Sequence, residues 1–178
     1  VNIYGASKVS GEKAILNASC NHLIFRSTWI IGKQGNNFAK KILKLMTTEK
    51  KLNIIYDQIG VPTSTLLISK VTIDAINSIT NNKAWPKGIY HLAPKGTSNW
   101  YKIAQNLFNI AKKSNVKLML NSQMIKPIKS NEFNSIVNRP LNSLLNTKKL
   151  RNILSFNLPH WRDDFALTAN EIIREFQK

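Results

Sequence analysis

Acidic residues are scarce in this chain. Nine Asp and Glu stand against 26 Lys and Arg in 178 residues, a formal net charge of +17. The lysines nevertheless form no long block. They gather only in pairs such as Lys40-Lys41, Lys50-Lys51, Lys112-Lys113 and Lys148-Lys149. That scatter argues against a dedicated nucleic-acid-binding stretch. The abundance of Lys, Asn and Ile together fits the mutational bias of an AT-rich genome. What the charge does imply is a positive field suited to a phosphorylated small molecule. Cysteine is limited to Cys20, which excludes an intramolecular disulfide and fits a reducing compartment. No run of about 18 apolar residues occurs, so no membrane-spanning helix is expected. The first residues show no basic region followed by an apolar core. No secretion signal is therefore expected, and the cytoplasm is the expected location. There is no internal repeat and no low-complexity segment. No Gly-x-Gly-x-x-Gly is present either, so the chain lacks the glycine-rich turn that cradles a dinucleotide pyrophosphate.

What remains is ordinary globular composition, 43% hydrophobic and 20% charged, in a chain long enough for one domain with a real core. A helix is predicted from about Tyr4 to Ser19, with Val9, Lys13 and Leu16 on one face and Ala6, Ala14 and Ala18 permitting close packing. His22 to Arg26 reads as a short buried strand, and Ser27 to Gly32 continues as a strand end or loop. Phe38, Ile42 and Leu45 give the apolar stripe of a helix from about Asn37 to Thr47. Leu52 to Tyr56 reads as a strand, and Asp57 to Thr63 as a loop punctuated by Gly60 and Pro62. Ser64 or Thr65 is placed to cap a helix reaching Thr80, and Thr97 or Ser98 one over Trp100 to Lys113. Between them Gly88 to Ala93 reads as a third strand. Val116 to Leu120 is a weak strand candidate, and Asn121 to Ser143 reads mostly as loop. Short helices are predicted at Thr147 to Leu154 and His160 to Phe176. Strands alternating with helices in this way point to an α/β protein with parallel strands.

The chemistry-bearing residues begin with Tyr4 and Lys8. Four apart on a helix, they lie one turn apart on one face. A tyrosine hydroxyl ordinarily titrates near pH ~10, and a neighbouring ammonium favours the ionised form, which makes such a pair a proton donor. Alone, the spacing is weak and fits an exposed helix face equally well. Further motifs follow in order: Gly11-Glu12; Arg26-Ser27-Thr28-Trp29-Ile30-Ile31-Gly32; Gly35-Asn36-Asn37-Phe38; Asp57-Gln58-Ile59-Gly60-Val61-Pro62-Thr63; Gly88-Ile89-Tyr90-His91-Leu92; Arg139-Pro140-Leu141-Asn142-Ser143; and Leu158-Pro159 with Trp161. Tyr4-Gly5-Ala6-Ser7-Lys8, followed by Gly11-Glu12, resembles the catalytic helix of the extended short-chain dehydrogenases/reductases. The ordered series, spread over almost the whole chain, is similar to the dTDP-4-dehydrorhamnose reductase family.

That resemblance implies the back part of a Rossmann-like doubly wound parallel sheet plus a smaller α/β substrate-binding region. About residues 1–60 would close the dinucleotide-binding domain and carry the catalytic helix. About 60–178 would be mostly substrate-binding, the two being intertwined. Family members carry a nucleotide-binding half before this helix, so the chain is expected to be a fragment, inactive alone and poorly soluble. The implied reaction is reduction of the C4 ketone of dTDP-4-dehydro-L-rhamnose with NADPH or NADH. Tyr4 would supply the proton, while Lys8 would assist it and reach the nicotinamide ribose. Tyr4, Lys8 and Trp29 are the implied cofactor contacts. Trp29, Asn36, Asn37, Phe38, Gln58, Thr63 and Arg139 are the implied substrate contacts, Arg139 through the pyrophosphate, which a guanidinium can grip with two hydrogen bonds. Plain structural roles compete: a core position for Trp29, a helix start for Asn36, Asn37 and Phe38, turn shape for Gly60 and Pro62, an exposed loop for Arg139. His22, His91 and His160 show no metal-ligand spacing, and His91 reads as a core histidine. Leu66 stands where some family members have a metal-binding glutamate at the subunit contact, and Glu171 alone is one carboxylate. No metal is expected, although a homodimer remains open. Competing readings are another nucleotide-sugar reductase or epimerase of the same superfamily, and a non-catalytic regulatory or binding protein on this scaffold.

Overall fold

The computed structural model describes residues 3–80, 87–133, 139–153 and 156–178. The helical periodicities read from the sequence locate the main helices. Helix α2 (Phe38–Thr48) buries Ala39, Ile42, Leu43 and Met46, an i, i+3, i+4, i+7 stripe. The Asn37 side chain caps it by accepting the Lys40 amide at 3.2 Å. Helix α4 (Trp100–Lys113) buries Ile103, Ala104, Leu107, Phe108 and Ala111. Its cap is Asn99, which accepts the Lys102 amide at 2.8 Å, rather than Thr97 or Ser98. Helix α6 (Trp161–Phe176) follows an N-cap at His160 and buries Trp161, Phe165, Ala169, Ile172 and Ile173. These three helices pack together with strands β3 (Leu52–Ile55) and β8 (Ile125–Ile128) to make the larger hydrophobic core.

A smaller core of Leu67, Val71, Tyr90, Leu92, Leu150 and Leu158 lies between helix α3 (Thr65–Thr80), strand β6 (Gly88–His91) and helix α5 (Lys148–Ile153). The α3 cap is Ser64, whose hydroxyl accepts the Leu67 amide at 2.8 Å. Strand β1 (Leu23–Arg26) pairs parallel with β6, Leu23 opposite Gly88 and Arg26 opposite His91. Three further pairs complete the strand arrangement. Strand β2 (Ile30–Ile31) runs parallel to β5 (Thr63–Ser64), β3 parallel to β8, and β4 (Ile59–Gly60) antiparallel to β7 (Ser98–Asn99).

The expected strands of the second half need correction. Val116 to Leu120 forms no strand. Its Met119 and Leu120 amides instead both donate to the Met46 carbonyl at the end of α2. The strand lies later, at β8, inside the stretch read as loop. Its Pro127 disguised it, because proline cannot donate to a ladder; here it sits opposite Ile54 in a strand whose one partner among the described residues is β3. Residues 134–138 of that stretch, and Leu154 at the end of the helix predicted from Thr147, lie outside the described residues.

Helix α1 (Ile3–Asn17) forms where predicted but buries none of its side chains. Val9 and Leu16, read as its packing face, are both exposed. Its tie to the rest is polar: the Arg26 guanidinium grips the Glu12 carboxylate with two hydrogen bonds, Nε to Oε1 at 2.8 Å and the second to Oε2. His91 is only half-buried. With Ile89, Asn146, Lys148, Lys149 and Asn152 it lines an open cavity of about 470 Å³.

Candidate active site

The aromatic end of the site is built by strand pairing. Strand β1 ends at Arg26, and three residues later the chain turns at Trp29, which has φ of 47°. A left-handed backbone costs a non-glycine residue roughly 1–2 kcal/mol and persists where the surroundings over-determine it. Here the Trp29 carbonyl accepts the Thr63 amide at 3.1 Å, and its indole stacks on Trp100 with ring centroids 3.9 Å apart and planes 21° from parallel. Phe38 closes on the same Trp100 at 4.6 Å. The β4–β7 pair sets Gly60 opposite Ser98 and Ile59 opposite Asn99, which brings Trp100 alongside the 58–60 segment. Gln58 is buried, and its Oε1 accepts the indole N–H of Trp100 at 3.1 Å. Gly60 has its own reason: a Cβ there would come within 2.7 Å of the Trp29 ring. Close approach, rather than turn shape, requires glycine at this position.

Residues 29, 38, 58, 60 and 63, spread over three sequence motifs, thus meet in one corner. The 139–143 segment reaches the same corner through backbone. The Ile59 amide donates to the Leu141 carbonyl at 2.7 Å, and the Ser143 amide donates to the Ile59 carbonyl at 2.8 Å. Arg139 itself is exposed at the start of this segment, and Asn36 is exposed before α2. Asn37 is committed to structure at both ends of its amide, since its Nδ2 donates to the Gly32 carbonyl at 2.7 Å while its Oδ1 caps α2. Thr63 is wholly buried, and its hydroxyl has no hydrogen-bond partner among the described residues.

Tyr4 and Lys8 stand apart on α1. They do face each other, with Lys8 Nζ 5.3 Å from the Tyr4 ring centre. Tyr4 is 70% exposed. The Glu12–Arg26 pair fastens this helix to the strand that leads into Trp29, and the Arg26 hydrogen bond holds the Glu12 carboxyl below its ordinary range. For a dinucleotide, the described chain fits only the end that a phenol and an ammonium would touch, since it offers no glycine-rich cradle for the pyrophosphate.

Two contributors went unread in the sequence. Trp100 was seen only as the start of a helix, and nothing local links it to Trp29 or Gln58. Asp164 was the more legible of the two, because it falls on the apolar face of α6 between Trp161 and Thr168. It is buried and accepts the Ser64 amide at 2.9 Å and the Ser64 hydroxyl at 2.5 Å, which fixes the 63–64 turn against α6. Burial pushes its carboxyl up, and the two Ser64 hydrogen bonds offset that only in part. No group of three or more His, Cys, Asp and Glu side chains among the described residues is placed to hold a metal ion. Nor, among them, is any helix long and apolar enough to cross a membrane.

Residues 1–174 match the family described as RmlD substrate binding domain. The dTDP-4-dehydrorhamnose reductase of Escherichia coli K12 is 37% identical over 172 residues, a match covering 97% of this chain and 56% of that protein. The chain therefore spans about half the length of the curated relatives it matches. The crystal structure of a dTDP-4-dehydrorhamnose reductase from Bacillus anthracis in complex with NADP superposes with a TM-score of 0.81 at 28% identity, over 96% of this chain and 56% of that one. A UDP-galactose 4-epimerase structure superposes with a TM-score of 0.72 over 98% of this chain and 54% of its own, at 15% identity, a likeness of fold alone. These neighbours show that the mixed α/β chain has a Rossmann-like fold.

Proposed function

Because the chain belongs to the RmlD substrate binding domain family, we propose that it supplies the sugar-binding region and the catalytic helix of a dTDP-4-dehydrorhamnose reductase. The reaction would convert the C4 ketone of dTDP-4-dehydro-L-rhamnose into the C4 hydroxyl of dTDP-L-rhamnose, with NADPH or NADH. About residues 1–60 complete the dinucleotide-binding domain, and about 60–178 mostly bind substrate. The observation that carries this reading is the convergence of Trp29, Phe38, Gln58 and Thr63 into one corner, just beyond the end of the strand that also anchors the Tyr4–Lys8 helix.

Each residue then has a task its chemistry suits. The bound nicotinamide supplies the hydride. Tyr4 holds the proton at its Oη and gives it to the oxygen that becomes the C4 hydroxyl. The Lys8 ammonium, already over the Tyr4 ring, stabilises the phenolate left behind and can donate to the ribose. The Trp29 indole offers an apolar flank to the deoxysugar. Gln58, Asn36 and Arg139 supply hydrogen-bond donors, Arg139 for the pyrophosphate. Asn37 acts by holding the loop in front of α2. The 178 residues alone do not turn over, since they hold no pyrophosphate cradle. The enzyme works in the cytoplasm, as a homodimer or monomer.

The test is a chimera. The part of the Escherichia coli relative that the match leaves uncovered is joined ahead of residue 1, and NADPH oxidation is followed with dTDP-4-dehydro-L-rhamnose. The chimera should turn over, and Tyr4→Phe in it should lower turnover by about 10²-fold or more with folding unchanged, the usual weight of a positioned acid. A chimera that folds but is inactive, or a Tyr4→Phe form that keeps its rate, would sink the assignment.

A further inference from the structure

Trp100 touches three residues of the candidate site, though no motif of the sequence contains it. It stacks on Trp29, abuts Phe38 and donates its indole N–H to Gln58. The last contact carries specific information. An indole N–H can only donate, so the Gln58 atom it meets must be the carboxamide oxygen. The amino end of Gln58 is thereby left as a pure donor. If that amide turned over, an acceptor would face the ligand instead. The stack works similarly on Trp29, whose left-handed backbone (φ 47°) needs side-chain contacts to hold it.

We propose that Trp100 is the positioning residue of the sugar site: its ring fixes the plane of the Trp29 indole, and its N–H fixes Gln58 as a hydrogen-bond donor to the ligand. This rests on the reading of the Trp29 corner as the dTDP-sugar site. Trp100 itself need touch no substrate. It acts through two other side chains, and the strand pair β4–β7 delivers it to both.

The test uses the 178-residue chain with dTDP-L-rhamnose as probe, its Kd measured by calorimetry. Two stacked indoles couple their transitions and give a paired circular-dichroism band. Trp29→Ala and Trp100→Phe should both abolish that band. Trp100→Phe, which keeps an aromatic ring but no N–H, should weaken binding about three- to tenfold, the range of one aromatic pair. The Trp29→Ala, Trp100→Phe double variant should lose less than the sum of the two single losses, because the part of the Trp100 effect that runs through Trp29 is already gone. Gln58→Glu still accepts the indole N–H but has no donor, so it should weaken binding with the band intact. That variant keeps the proposal testable should Trp100→Phe fail to fold. Normal binding by Trp100→Phe, additive losses in the double variant, or normal binding by Gln58→Glu would each overturn the positioning role. Failure of the parent to bind, or unchanged binding by Trp29→Ala, would instead overturn the sugar-site reading and this proposal with it.

Discussion

Helix α1 and the Trp29 corner hold the two halves of one candidate chemistry but are built in opposite ways. The corner sits on β4, β7 and the N-termini of α2 and α4, and both helices bury a face in the larger core. Helix α1 buries no side chain and is held by one exposed ion pair. Tyr4 and Lys8 are therefore lightly anchored, and Trp29, Phe38, Gln58 and Thr63 firmly. A binding surface needs side chains fixed to fractions of an ångström, which dense packing supplies. Ile3, Val9, Ile15 and Leu16 on α1 are all exposed.

The contrast can be broken at several points. Leu107→Ala, in the centre of α4 and fully buried, should cost about 3 kcal/mol in denaturant unfolding. Leu16→Ala on α1 should stay within about 0.5 kcal/mol, since it leaves no cavity. Equal costs at both positions would erase the distinction. Gly60→Ala forces the Trp29 ring aside and should destabilise by about 1–3 kcal/mol. It should also shift tryptophan fluorescence, which a change confined to the backbone would leave alone.

Two carboxyls give a finer test through pH. Burial raises the Asp164 carboxyl above its ordinary 3.8. A raised carboxyl holds its proton more tightly folded than unfolded, so its contribution falls as pH climbs from about that value through the folded one, and is constant above. In Asp164→Asn the fall disappears. The parent's melting temperature relative to the variant should therefore be highest in acid, decline above pH 3.8, and level off once the pH has passed the folded value. Asp57 runs the other way. Its desolvation is outweighed by hydrogen bonds from the Ser130 amide and hydroxyl and by Lys129, so its carboxyl is lowered. Its stabilisation is present above 3.8 and lost as pH falls below it. An unchanged pH profile in Asp164→Asn would remove the argument from burial. A small effect is likewise expected at Glu12→Gln, under about 1 kcal/mol globally because the pair lies at the surface. Amide exchange in α1 should nonetheless accelerate while α4 is unaffected. Uniform protection across both helices would show that α1 has anchors beyond Arg26.

Much of this was legible in the residues. Apolar spacing placed α2, α4 and α6, because a buried helical face must recur every three to four positions. Asn37 was a cap candidate by type, Ser64 likewise, and both cap. The motif order pointed to Trp29, Gln58 and Thr63 before any contact was seen. Strand β8 is hidden in the sequence by Pro127, which is tolerated because β8 pairs, among the described residues, with β3 alone. Asn99 was passed over as a cap in favour of its neighbours, whose side chains are equally able to accept an amide.

The sequence by itself determined the α/β class, the main helices, and the Tyr4–Lys8 and Trp29 motifs, all properties of local spacing and residue type. Tertiary structure decided which of those residues meet. Trp29 and Trp100 are separated by a long stretch of chain, as are Ser64 and Asp164, and no local pattern couples them. They touch because antiparallel pairing of β4 with β7 and packing of α6 on β5 close the chain there. The exposure of α1 was decided at the same level: its sequence carries apolar residues, but a helix buries a face only where another surface lies against it.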